Sequence, residues 1–131
     1  MEQNHILIFQ SQLLIIKMKL VKAIIKPEKL PDVKQELAKQ GVIGMTVYDV
    51  HGCGQQKGFT EEYRGIVHEV NLLRKVVIEI VVEEKLVDKM IKAIIRGART
   101  GKLGDGKIFV LDVNQAVKIR TGEKNKKALS N

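Results

Sequence analysis

Two stretches of this 131-residue chain, "IIKPEKLPD" from Ile24 and "IVVEEKLVD" from Ile80, repeat one transition 56 residues apart. In each, apolar residues spaced by two give way to apolar residues spaced by three and four, the change from strand to helix. "KLVKAIIK" (Lys19 to Lys26) puts Val21, Ala23 and Ile25 on one face of a strand, and "KVVIEIVV" (Lys75 to Val82) reads the same way. After the first, Leu30, Val33 and Leu37 make a helical stripe, with Pro31 suited to its first turn and Gly41 placed to end it. After the second, "EEKLVDKMIKAIIRGAR" carries Val87, Met90, Ile91, Ile94, Ile95 and Ala98 at helical spacing. "IGMTVYDVHG" and "KIFVLDV" are the remaining strands, and "AVKIRTG" is a short strand or turn.

The resulting order, β-α-β-β-α-β, predicts an α+β protein with the split βαβ of the ferredoxin-like fold, two helices on one face of one sheet. The length fits one domain. A hairpin between the second and third strands needs two to five residues, yet the chain runs from Gly52 to Arg74 there. With Phe59, Tyr63 and Ile66 among many charges, that connection is expected to be structureless alone and to order on a partner. Residues 1–17, "MEQNHILIFQSQLLIIK", are set apart: Gln10, Ser11 and Gln12 break the apolar run, and Glu2 stands where a signal peptide would be positive. The run is too short to span a bilayer. Met18 begins the regular pattern and is expected to be the true start, the leader otherwise being an extra edge strand or an interfacial anchor.

Lys and Arg number 23 against 15 Asp and Glu, so the net charge of +8 favours anionic partners. Much of the excess lies in "KIRTGEKNKK". A single cysteine, Cys53, excludes an internal disulfide and fits a reducing cytoplasm. His51, Cys53 and His68 match no standard zinc spacing.

"TGKLGDGKIFV" (Thr100 to Val110) reads from Gly101 as the phosphate-loop pattern as far as Lys107. Ile108 then stands where a magnesium-binding Ser or Thr is required, and the order runs from helix into strand, so a Walker-type NTPase is not expected. Amides of a glycine-rich turn can still approach phosphate closely, with Lys107 as a point charge. Further cations must converge, and Lys118 and Arg120, two apart on one face of a last short strand, are the candidates. Asp105 is expected to shape the turn.

"AIIKPEKL", "GMTV", "GQQKGFTEEYRG", "KVVIEIVV", "TGKLGDGKIFV" and "IRTGE" stand in the order and spacing of the PII nitrogen-regulatory signal proteins, which the chain resembles from Met18 to about Lys124. The resemblance implies a domain over 18–131, with a T-loop at about 54–72, a B-loop at about 99–107, and a C-loop and basic tail at 118–131. It implies a cytoplasmic homotrimer that binds ATP or ADP in clefts between subunits and senses 2-oxoglutarate through Mg-ATP. The T-loop then docks on targets such as an ammonium channel or a nitrogen-metabolism enzyme. Nucleotide-binding positions carried over are Thr46, Gly52, Gly54, Gln55, Val81, Gly104, Asp105, Gly106, Lys107, Lys118 and Arg120. Gln55 replaces a common arginine and removes a phosphate contact; Lys118 for arginine loses bidentate geometry. Gln56 matches the magnesium and 2-oxoglutarate ligand, Lys75 the lysine that pairs with the effector carboxylate, and Lys57, Gly58 and Gly104 complete that set. Phe59, Tyr63, Arg64, Ile66 and His68 fall on the partner-binding loop. His68 and Ile66 occupy the positions of the tyrosine and serine that relatives modify, so neither acceptor is present there.

Other function classes fare worse. An RNA-recognition module shares the element order but needs stacking aromatics, and "KVVIEIVV" has none. Nucleic acid is therefore not expected, and a membrane only indirectly through a channel. No Ser-His-Asp, Cys-His or paired-carboxylate arrangement suggests an enzyme. An adenylate-only sensor, blind to 2-oxoglutarate, is the alternative function.

Overall fold

The computed structural model describes residues 17–53, 59–63, 66–70 and 72–130. Six strands and two α-helices follow in the order β1 (Met18–Ile25), α1 (Leu30–Lys39), β2 (Thr46–Gly52), β3 (Phe59–Tyr63), β4 (Ile66–Val70), β5 (Leu73–Glu83), α2 (Val87–Ala98) and β6 (Gly106–Val113). The main sheet runs β2-β5-β1-β6, every neighbour antiparallel. This is the ferredoxin-like arrangement: β1 and β2 run the same way with β5 inserted between them.

Pleating sorts the residues into two faces. Registers Ile25↔Val76, Ala23↔Ile78 and Val21↔Ile80 place these side chains together on one face. There they join Val33 and Leu37 of α1 and Met90, Ala93, Ile94 and Ala98 of α2 in the core. Full burial of a side chain such as Leu37 or Ile94 contributes about 1.5–3 kcal/mol. Across the helices, Glu36 accepts from Arg96 Nε at 3.1 Å and from Lys39 Nζ at 3.2 Å, and Arg96 and then Lys39 hold its carboxyl below the ordinary range.

Among the described residues no helix covers the opposite face. Leu20, Ile24, Tyr48, Val77, Val81, Phe109 and Leu111 point that way by register, and Phe109 and Leu111 are 47% and 45% exposed. A polar knot interrupts it, where Tyr48 donates to Glu79 and Lys22 lies 3.8 Å from Glu79, and Thr46, Lys75 and Lys107 also fall on this face by register.

The structure refines three sequence expectations. The repeat is real, but its structural period is 57, not 56. Lys26 and Glu83 cap matching 3-10 turns (Pro27–Lys29 and Glu84–Leu86), with φ/ψ of −65/138 and −64/145. Leu30 then matches Val87, Val33 matches Met90 and Leu37 matches Ile94, because buried helix positions, rather than the letters "EKL", must superpose. Second, the long connection is not structureless: β3 and β4 pair with each other from Phe59↔Val70 to Tyr63↔Ile66 as a separate two-stranded sheet. Third, "AVKIRTG" forms a turn closed by one bridge, Val117↔Lys124, rather than a strand.

Gly97 sits where α2 crosses α1. A Cβ there would lie 2.7 Å from Val33 Cα and 2.8 Å from Val33 N, backbone atoms that cannot swing aside. Alanine is the better helix former by ~1 kcal/mol, yet the helices would have to separate. Gly97→Ala is expected to destabilise the fold by about 1–3 kcal/mol in urea denaturation; a stability equal to or above the parent's would show that the helix pair yields.

Candidate functional site

Three segments meet at one end of the sheet: the end of β2, the start of β5, and the glycine loop between α2 and β6. The loop's shape follows from its residues. Helix α2 stops at Ala98, with Arg99 extended and its amide still bonded to Ile95 O. Gly101, Gly104 and Gly106 all have positive φ, +84, +92 and +103, conformations that glycine adopts without a Cβ clash. At Gly106 the approach is tighter still, since a Cβ would overlap the Ile24 carbonyl.

Asp105 holds the loop closed, as its expected role requires. Its Oδ2 accepts from the amides of Thr100 (2.8 Å) and Gly101 (2.9 Å), and its Oδ1 accepts from Thr100 Oγ1 at 2.5 Å. Lys26 Nζ stands 3.4 Å away. The Thr100 hydroxyl and amide, with Gly101 and Lys26 behind them, hold the Asp105 carboxyl far below the ordinary range. Thr100 was not singled out from sequence; a Thr just past a helix end with Asp five residues on is the local signal that could have found it.

Against this loop lies a cleft of about 690 Å³ lined by Gly52, Cys53, Lys75, Lys102 and the segment from Leu103 to Lys107, with Ile24 and Phe109 as its apolar floor. Lys75 Nζ crosses it to donate to Gly104 O at 2.8 Å. Burial, and then the charge of Lys26, push the Lys75 ammonium below its ordinary pKa. The lining thus holds three lysines and one carboxylate, Asp105, which is already committed to Thr100 and Gly101, while Glu28 also acts on Lys75 from outside the lining. The cleft suits an anion.

The sequence-derived residues divide into two groups. Gly52, Lys75, Gly104, Asp105, Gly106 and Lys107 come together in this cleft. Thr46 and Val81 do not: both lie on the open face near the other end of the sheet, paired in register with Glu79 and Leu20. Lys75 and Val81 are six positions apart along β5, about 20 Å in an extended strand. Lys118 and Arg120 are also absent from the cleft lining. The expectation that they share one face of a strand is corrected, since Arg120 lies in the turn itself while Lys118 bonds through its amide to Glu123 O at 2.8 Å and its Nζ is 3.8 Å from Glu123 Oε1. Gly54, Gln55, Gln56, Lys57, Gly58 and Arg64 lie outside the described residues; Phe59, Tyr63, Ile66 and His68 are placed on β3 and β4 by their backbone pairing.

The family model for nitrogen regulatory protein P-II matches residues 18–123. The chain is 54% identical to nitrogen regulatory protein P-II of Haemophilus influenzae and 55% identical to nitrogen regulatory protein P-II 1 of Escherichia coli K12, in both cases over 86% of this chain and all of the relative. Among solved structures it is similar to Arabidopsis thaliana PII bound to citrate (TM-score 0.71, 42% identity, 86% of this chain and 92% of that one). It is equally similar to B. subtilis GlnK (TM-score 0.71, 43% identity, 86% and 99%).

The Asp105 network gives stability a defined pH dependence. A carboxyl depressed in the folded state contributes fully above its unfolded pKa, about 4, and the contribution disappears as pH falls toward the folded value. The melting temperature of Asp105→Asn is expected to lie below the parent's by a constant margin above about pH 5 and to converge on it toward pH 2. Parallel melting curves over that range would show that the Asp105 charge does not hold the loop.

Proposed function

This chain belongs to the nitrogen regulatory protein P-II family, and on that footing we propose that it is a cytoplasmic signal protein that binds ATP or ADP, senses 2-oxoglutarate and reports through its T-loop. The observation that carries the reading is the anion cleft, in which Lys75, Lys102 and Lys107 converge while Asp105 is spent on the loop. Gly104 and Gly106 let the chain pass close to phosphate oxygens, and Lys107 adds charge. The residues present fit a polyphosphate. Magnesium would be held by Gln56, the residue the resemblance assigns to it, and would supply positive charge to an anionic ligand. Lys75, which donates to Gly104 O of the glycine loop, would pair with a carboxylate of 2-oxoglutarate. The similar Arabidopsis PII is bound to citrate, itself a polycarboxylate.

The split of the residues into two groups supports a homotrimer with shared sites. Thr46, Val81, Lys118 and Arg120 would serve the cleft of a neighbouring copy, since in their own chain about 20 Å of strand separates Val81 from Lys75. The open sheet face, with Phe109 and Leu111 half exposed, is the surface such copies would cover. Ligands would change which T-loop conformations are populated, and the loop would hold or release a target such as an ammonium channel or nitrogen-metabolism enzyme. The chain would act by binding and not as an enzyme. Gln55, lacking the arginine charge, favours a second reading, an adenylate sensor that ignores 2-oxoglutarate.

Calorimetry with ATP and magnesium should show binding, and 2-oxoglutarate should bind only once ATP is present. Lys107→Ala is expected to weaken ATP by about 10- to 100-fold, the loss of one charge-assisted contact. Gln56→Ala should remove the 2-oxoglutarate response while sparing some ATP binding. ATP binding without any effect of 2-oxoglutarate would establish the second reading; no ATP binding would reduce the glycine loop to a turn. In sedimentation, Leu111→Glu on the open face is expected to convert a trimer to smaller species, and an unchanged trimer would place the interface elsewhere.

A further inference from the structure

A second cavity, of about 370 Å³, lies behind the glycine loop between α2 and β6. Its size is that of an ordinary small-molecule pocket, ~300–1,000 Å³. The two cavities are on opposite sides of the sheet. Ile24 and Phe109 floor the anion cleft, whereas their chain neighbours Ile25 and Ile108, which pleating turns to the helix-covered face, line this one. Asp105, Gly106 and Lys107 form the wall that the cavities share.

The lining has an apolar stretch and a cationic end. Helix α2 contributes Ile91, Ile94, Ile95 and Ala98 at the three- and four-residue spacing of one face, about 10 Å of apolar wall. Ile91 and Ile95 are only half-buried, as is Ile108 on β6, so this wall still offers apolar surface to an occupant. Past Ala98 it turns polar, with Arg99 just beyond the end of α2 and Lys107 at the start of β6. Arg99 forms no ion pair among the described residues. The one carboxylate of the lining, Asp105, already accepts from Thr100 and Gly101 and has Lys26 at 3.4 Å. A complementary occupant therefore has an apolar body about two helical turns long and one anionic head. A polyphosphate would set polar groups against isoleucine, and a neutral chain would leave the cations unanswered. A carboxylate meets a guanidinium through two parallel hydrogen bonds.

We propose that the cavity between α2 and β6 is a second ligand site, taking a medium-chain acyl carboxylate with its chain along Ile91 and Ile95 and its head group at Arg99. The site lies across the sheet from the anion cleft and needs no nucleotide to be filled.

The test is calorimetric titration of the full chain with decanoate, the site being located by the NMR shifts of isoleucine methyls. Decanoate is expected to bind and to shift the methyls of Ile91, Ile95 and Ile108 more than those of Ile24 in the anion cleft. Octanoate, which buries two fewer methylenes, should bind about tenfold more weakly. Decanol, which lacks the charge-assisted contact, should bind about 10- to 100-fold more weakly. Arg99→Gln should bring decanoate down to the affinity of decanol, and Ile95→Gln should weaken both ligands by about tenfold. Lys89→Gln, at an exposed position of α2 outside the cavity, should stay within about threefold of the parent. Melting curves establish that each variant is folded. Absence of decanoate binding, equal affinity of the parent for decanol, parental affinity in Arg99→Gln, or shifts centred on Ile24 each overturns the proposal. Binding by the Leu111→Glu variant alone would show that a second copy fills the cavity in the oligomer, and overturns it too.

Discussion

Strand β1 is the member on which the other parts are registered. It pairs along its whole length with β5 on one side and β6 on the other, so its backbone has no free edge, and Val21, Ala23 and Ile25 on its helix-covered face are buried. Its last residues fix the site. Gly106 pairs with Ile25 so closely to the Ile24 carbonyl that no side chain fits, and this brings the glycine loop back over the end of the sheet. Lys26, the next residue of the chain, then reaches Asp105 at 3.4 Å, and Lys75 on β5, just beyond the Ile25↔Val76 pair, reaches Gly104. The cleft is thus a consequence of strand register, with the loop supplying backbone groups and two neighbouring strands supplying charge.

That dependence explains which parts were legible. Strands and helices with a buried face announce themselves by period: Val21, Ala23 and Ile25 at intervals of two, and Met90, Ile94 and Ala98 at intervals of four, are all in the core. The turn-forming role of Gly101, Gly104 and Gly106 was legible from their type, and so was that of Asp105. The hairpin of β3 and β4 was not, because its polar alternation in "FTEEY" and "IVHEV" carries little of the apolar signal by which strands are read. The 56-residue repeat misled by one position because "EKL" is exposed or half-buried in both copies, where identity costs nothing, while Val33 and Met90 must occupy equivalent buried places. Lys118 and Arg120 were paired on the assumption of a strand; alternation says nothing about side chains in a turn.

The electrostatics of the cleft rest on a division of labour. Asp105 takes its hydrogen bonds from Thr100 and Gly101, and a carboxylate saturated by donors repels an incoming anion less than a bare one. Lys75 is partly desolvated and close to Lys26, so its charge is less stabilised by water than a surface lysine's. A bound anion would relieve that cost, which is the physical reason a cluster of like charges at a cleft points to a ligand.

The asymmetry of the sheet links the cleft to the rest of the molecule. Two helices cover one face, and among the described residues no helix covers the other, where Phe109 and Leu111 stand half exposed. If copies meet there, as the family membership leads us to propose, the half-site at Thr46 and Val81 is carried toward a neighbour's glycine loop. The helix layers, being on the opposite side of every sheet, must then point outward. Covering the open face therefore leaves the helix packing undisturbed, because pleating assigns the two to opposite sides of the same four strands.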